Sequence, residues 1–444
     1  MKRVIALAVM GLLAGGCGGE APKNAPPANT EARRAALYKT IKESTPFKYV
    51  AWESVLAGVK VEHVSLREDS LFVEVIEKTN EHGRIGMPAL YRLNTSTGTV
   101  DWIVDLPKPL DFRPSIVGAV VKNLAALVKE RARLIDDREI ERTRKQKDAA
   151  KIQSLTESIK QKTELIESIK LQDRVYAVSE SDKLHIIERP AGAEFHRQRL
   201  AFSPSTAAAG SPSVVFLGAL ERNRLIGLDP NSWAEIIFFP ADGDIKTTPI
   251  YADPGNVYFA SEDGHVYGYT ADGRSKLIDY RTEAPIVSDM FLDIETNEQG
   301  KETWGALLVG STDYALYCFN RVTGELMWKY ETGGQIRTAP QASGGVAYCL
   351  ARDKGFHAID KRTGKLLYNR ADAWWMLCRG RDRVYLMGAN NANIIAVEER
   401  TGKELSRCST GEFKHICADP RGHVAYLVTE DGFVFAAKES DIDY

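Results

Sequence analysis

The sequence has little of what an enzyme, a nucleic-acid binder or a membrane-spanning protein needs. Across 444 residues, 58 basic and 60 acidic side chains leave a formal charge of −2. That balance leaves no basic stripe for binding a phosphate backbone, so no nucleic-acid partner is expected. The apolar run from Val4 to Ala14 is about eleven residues long, too short to cross a bilayer as a helix. The six cysteines include no adjacent pair and no Cys-x-x-Cys-His haem site. None of the eight histidines has a second histidine four residues away to form a metal pair, and Gly-x-Ser-x-Gly and phosphate-cradling loops are missing too. Asp242-Gly243-Asp244 and Ser261-Glu262-Asp263-Gly264 look like fragments of calcium loops. They lack the required succession of oxygen ligands and read as tight hairpin turns. No catalytic residue, cofactor or metal ligand is therefore expected, and the chain reads as a non-enzyme.

What is present begins with an address. Lys2 and Arg3 precede the apolar run, which ends in Leu12-Leu13-Ala14-Gly15-Gly16-Cys17, the layout of an export signal. The ending resembles the lipobox of bacterial lipoproteins, which implies a signal peptide over 1–16 and a lipid on Cys17. Cleavage would remove Lys2 and Arg3 and leave the mature chain at −4. Gly18, not Asp, follows the cysteine, which in such lipoproteins implies an outer-membrane address facing the periplasm. Residues 17–45 open with a stretch rich in Gly, Pro, Ala and Asn and read as a flexible tether.

A repeat of about forty residues follows. Leu93-Asn94-Thr95-Ser96-Thr97-Gly98, Phe319-Asn320-Arg321-Val322-Thr323-Gly324, Ile359-Asp360-Lys361-Arg362-Thr363-Gly364 and Val397-Glu398-Glu399-Arg400-Thr401-Gly402 align without gaps. Four residues beyond each glycine stand Trp102, Trp328, Tyr368 and Ser406. A glycine supplies the positive φ of a hairpin turn, acidic, amide and hydroxyl side chains bond turn amides, and the aromatic residue packs on an outer strand. Gly324 to Gly364 spans 40 residues and Gly364 to Gly402 spans 38. Weaker units at Arg174–Val178, Ser213–Leu217, Asn256–Ala260 and Gly305–Val309 fill the interval between Gly98 and Gly324, and with the first unit near Leu71 and the last near Val424 the count is eight. The last unit stops at Tyr444 short of its outer strand, which Phe47–Leu56 would supply with Trp52 in the aromatic position. That arrangement closes the ring with both termini.

These units resemble the pyrroloquinoline-quinone-like β-propeller repeats, which read Asp-x-x-Thr-Gly-x-x-x-Trp. The resemblance implies an all-β, eight-bladed propeller of four-stranded antiparallel blades over 46–118 and 172–444. Its superfamily holds quinoprotein dehydrogenases and propeller lipoproteins of outer-membrane β-barrel assembly. The lipobox and the missing Cys-Cys pair favour the second group. The expectation is a membrane-anchored scaffold for envelope protein partners, the competing readings being a quinone-dependent dehydrogenase or a small-ligand propeller.

Residues 119–171 interrupt blade two with a segment free of Gly and Pro. Leu124, Leu127, Val128, Leu134 and Ile135 form one apolar stripe, and Ile152, Leu155, Ile159, Ile166 and Ile169 another. The flanking segments read as adjacent strands about 5 Å apart, so the insertion must return to its start. An antiparallel coiled-coil hairpin turning near 138–149 does so. Of the five cysteines after Cys17, most read as small buried residues. Cys378 and Cys417 stand at similar points of neighbouring blades, and theirs is the disulfide to expect first.

Overall fold

The computed structural model describes residues 30–77, 86–117, 121–143, 148–170, 174–189, 192, 194–252, 255–297 and 299–440. Cys17 and the export signal lie outside them. The described residues contain eight four-stranded antiparallel sheets, the blades of an eight-bladed, all-β propeller. In chain order they are blade one (59–105), two (115–199), three (209–240), four (250–281), five (291–331), six (341–370), seven (373–409) and eight (413–438). Blade eight takes its fourth strand from Tyr49–Val55, which pairs antiparallel with Phe433–Lys438. The chain divides into two compact units, residues 1–109 with 283–444, and residues 110–282.

Within each unit the apolar cores lie between successive blades, because the middle strands are apolar on both faces. Val214–Ala219 and Asn256–Ala260 are buried at every position. Val257 and Phe259 turn toward blade three, where they meet Phe216, Leu225 and Phe239. Most outer strands instead bury only one or two residues, as in Leu326–Glu331, where Trp328 alone is buried, and Glu404–Ser409 buries none.

That single residue sets the spacing. Trp328 of blade five lies against the turn of blade six, its indole N–H donating to the carbonyl of Lys361 at 2.9 Å. A Cβ on Gly364 would stand 2.8 Å from the ring. Tyr368 meets Gly402 of blade seven at 2.5 Å in the same way, and Trp52 of blade eight meets Gly98 of blade one at 2.3 Å. The indole of Trp52 donates to the carbonyl of Thr95 at 2.7 Å. Three of the four turn glycines thus serve twice. Glycine holds φ between +68 and +75° at Gly98, Gly324, Gly364 and Gly402, and at Gly98, Gly364 and Gly402 it clears space for the preceding blade's aromatic ring. Trp102, 6% exposed, packs on Phe72 of its own blade with ring centroids 6.0 Å apart.

Two sequence expectations are corrected. Residues 30–44, placed in the flexible tether, form helix α1 (Thr30–Ser44). Leu37 and Ile41, four residues apart, insert among Phe47, Phe413, Phe433 and Phe435, and burying that pair offsets the entropy of ordering the helix. The Cys378–Cys417 bridge does not form, because the two side chains enter different cores. Cys378 projects into the core shared by blades seven and eight, beside Tyr385. Cys417 projects into the next core, beside residues of blades eight and one. Equivalent positions on consecutive blades face the same way, so one sheet thickness, about 10 Å, separates the sulfurs, and a disulfide spans far less.

Gly364→Ala should lose about 2 to 4 kcal/mol, combining left-handed strain with the clash against Trp328. Gly58→Ala, at φ +72° with nothing within 4 Å of the new methyl, should lose only the strain, about 1 to 2 kcal/mol. Urea unfolding of the two variants compares them, and equal losses would show that the aromatic contact does not require the glycine.

Candidate functional site

Three surfaces of the described residues are built for contact. The first is the insertion of blade two, where α2 (Val121–Thr143) and α3 (Ala149–Lys170) leave and re-enter adjacent paired strands, Val117 opposite Arg174. Lys162 meets Glu130 at 2.7 Å and Lys151 meets Glu141 at 3.1 Å, a pattern that fixes the helices as antiparallel. Each extends about 33 to 35 Å at the α-helical rise. The seam between them is incompletely covered. Leu134, Ile135, Ile152, Leu155 and Ile159 are half-buried, and Ile140 near the end of α2 is 56% exposed. A two-helix pair shields one side of each apolar stripe and leaves the other uncovered.

The second surface is a cavity of about 500 Å³ beside α1, lined by Arg33, Val59, Lys60, Glu412, Lys414 and Asp431 among others. Arg33 grips Asp431 with two nitrogens and reaches Glu412 at 2.9 Å. The charges are largely self-compensated, which suits a polar protein contact better than capture of an ion. The third is a groove of about 580 Å³ along blades three and four, lined by Val214, Ile236, Ile237, Tyr251 and Asp272 among others. Ile236 is 54% exposed, and Phe238, two residues on in the same strand, is 55% exposed.

Several side chains of types that do chemistry are sealed or paired. Ser179 Oγ and His185 Nε2 lie 2.7 Å apart, yet both residues are wholly buried, so no substrate reaches them. Burial pushes the Cys349 thiol up to about 12 and raises Cys318 and Cys378 further, which holds all three protonated and unreactive. Buried Lys361 meets Asp293 at 2.7 Å and also Glu295. The indole of Trp304 donates to the same Asp293 at 2.9 Å. This is a compensated ion cluster tying blade five to the turn of blade six.

The repeat residues singled out in the sequence all fall at one point of the fold. Trp102, Trp328, Tyr368, Ser406 and Trp52 stand opposite Arg92, Cys318, Ala358, Ala396 and Ala436 of the neighbouring strand. The sequence did not reveal the other three. His196, Ile237 and Ile278 take the same position opposite Ile186, Gly227 and Gly268. In blade three the turn glycine is replaced by Trp233, at φ +59°, on which His196 stacks with ring centroids 6.3 Å apart. Ile237 lies 2.9 Å from the Cβ that Gly273 lacks.

The architecture is that of a β-propeller with quinoprotein-like repeats. Residues 303–406, under a quarter of the chain, match the family model described as outer membrane protein assembly factor BamB. Among solved structures, the chain is similar to the crystal structure of BamB from Moraxella catarrhalis. That match has a TM-score of 0.56 at 14% identity and covers 89% of this chain and 100% of that one. It is also similar to the computationally designed Ika8 protein, with a TM-score of 0.53 at 13% identity, covering 86% of this chain and 96% of that one. At these identities the structural matches show the fold. No curated protein matches the sequence.

At the end of the matched span lies an ion network whose pH dependence follows from its geometry. Asp372 accepts from two nitrogens of Arg370 at 3.0 and 2.9 Å and from Arg407, and Arg370 foremost holds its carboxyl down at about 2. A depressed carboxyl stabilises the fold above its unfolded value and loses that contribution as pH falls through the folded one. Asp372→Asn should therefore lower the melting temperature at pH 6. The difference should be worth about 1 kcal/mol or less for so exposed a group, and it should shrink steadily between about pH 4 and 2. A difference that persists unchanged at pH 2 to 3 would show that the carboxylate's charge is not its source.

Proposed function

We propose that this protein is a lipid-anchored, non-catalytic scaffold of the cell envelope that holds protein partners during assembly of outer-membrane β-barrel proteins. The observation that carries the reading is the match of residues 303–406 to the family model described as outer membrane protein assembly factor BamB. The lipobox-like ending at Cys17 supports attachment of the mature chain to the periplasmic face of the outer membrane. The sealed thiols of Cys318, Cys349 and Cys378 and the compensated buried charge of Lys361 are in keeping with binding rather than turnover.

Partner contact would use the antiparallel pair α2–α3, acting as a coiled-coil hairpin. Its apolar seam is half-covered, its charged flanks supply specificity, and its helices reach about 33 to 35 Å. The blades then serve as a rigid mount, since function in such folds is carried by what projects from them.

An affinity capture from detergent-solubilised envelope tests this, comparing the full chain with a variant in which 119–171 are replaced by a short Gly-Ser turn. Envelope proteins held by the full chain and lost from the variant are the expected result. Identical catches would remove the hairpin from the mechanism, and no β-barrel assembly partner in either would remove the scaffold reading. In the same cells, Cys17→Ser should shift the protein from the membrane to the soluble envelope fraction, and its retention on the membrane would exclude the lipid anchor.

A further inference from the structure

The two loop fragments that look like pieces of calcium sites converge in the fold. Asp242 follows the outer strand of blade three, while Asp263 and His265 sit at the turn into the third strand of blade four. Their ligand atoms all lie within 4.8 Å of one another. His265 Nδ1 is 2.9 Å from Asp263 Oδ2 and 3.5 Å from Asp242 Oδ2. Gly243 permits the approach, because a Cβ there would stand 2.8 Å from the backbone nitrogen of Asp263. The Glu262 N–H donates to the carbonyl of Asp244 at 2.9 Å and fixes the two loops together.

The same turn recurs in blade five, where its aspartate has a different task. Asp313 Oδ2 accepts from the backbone N–H of Glu283 at 3.0 Å and from the hydroxyl of Tyr317 at 2.7 Å, and Ala315 stands where blade four has His265. In blade four the corresponding amide, that of Asp242, donates to Tyr267 Oη at 3.3 Å instead. Asp263 keeps its turn role through Oδ1, which accepts from Ser261 Oγ and from the N–H of His265. Its Oδ2 is directed at the imidazole, and a second carboxylate arrives from the neighbouring blade. Two carboxylates about one imidazole nitrogen give that nitrogen more acceptors than its single proton can serve well.

We propose that Asp242, Asp263 and His265 form a binding site for a divalent transition-metal ion of the zinc class. One imidazole nitrogen and two carboxylate oxygens are a borderline donor set that suits zinc better than calcium, which takes six to eight oxygens. Zinc bonds of about 2.0 to 2.2 Å in tetrahedral geometry place ligand atoms roughly 3.4 Å apart, and the observed 2.9 and 3.5 Å reach that spacing with small side-chain movements. Three protein ligands leave a coordination position toward solvent, where Asp242 is exposed. That position accepts water or a donor side chain from a bound partner.

Isothermal titration of the purified full chain, free of any histidine tag, with zinc, calcium and magnesium chlorides tests the assignment. The expected result is one saturable zinc site per chain, weakened roughly tenfold or more by His265→Ala and by the isosteric Asp242→Asn, with calcium far weaker. Circular dichroism melting of each variant confirms that it is folded. The pair Cys408→Ser and Cys417→Ser, which removes the two partly accessible thiols, should leave the isotherm unchanged. No saturable zinc binding, zinc binding unaltered by both site variants, loss of binding in the cysteine pair, or calcium binding as tight as zinc would each overturn the site.

Discussion

The fold depends on one repeated contact, a side chain of an outer strand pressed onto the turn of the next blade. Where the contact is aromatic on glycine it joins two demands at a single residue. The turn needs a left-handed φ, and the ring needs a neighbour with no Cβ. Glycine meets both, and the indole N–H of Trp52 or Trp328 then finds a turn carbonyl at 2.7 or 2.9 Å. Burial of the ring, its hydrogen bond and the turn geometry are satisfied together, so the spacing between those blades is set by chemistry as well as by shape.

That constraint explains where the pattern stops. Ser406 of blade seven occupies the aromatic position and is exposed. Blade eight has no hairpin between its third and fourth strands, because its fourth strand, Tyr49–Val55, comes from the other end of the chain. No turn glycine is there to receive a ring, and a small polar residue suffices. Helix α1 covers blade eight instead, with Leu37 and Ile41 buried among its phenylalanines.

How far the sequence could be read follows from the same contact. The four Thr-Gly units were legible because their turn glycine is constant, and at Gly98, Gly364 and Gly402 it also receives an aromatic ring. The other units hide the pairing. His196, Ile237 and Ile278 replace the aromatic ring, and Trp233 replaces a glycine, so only the fold shows that these positions are equivalent. Helix α1 was hidden because a short Ala- and Arg-rich segment takes its helicity from two buried side chains. The cysteine pairing failed because similar positions on successive blades face into different cores. Asp242 and His265 are far apart in sequence, and each fragment taken alone explains itself as a turn.

In the proposed function the blades are a mount, and the mount stands or falls with the contact between ring and glycine. A double-mutant cycle on Trp328→Ala and Gly364→Ala, followed by urea unfolding, measures it directly. The account predicts that Gly364→Ala loses markedly less stability once Trp328 is alanine, since only the backbone strain remains, with a coupling of about 1 to 3 kcal/mol. An equal loss in both backgrounds would contradict it, and would assign the glycine to the turn alone.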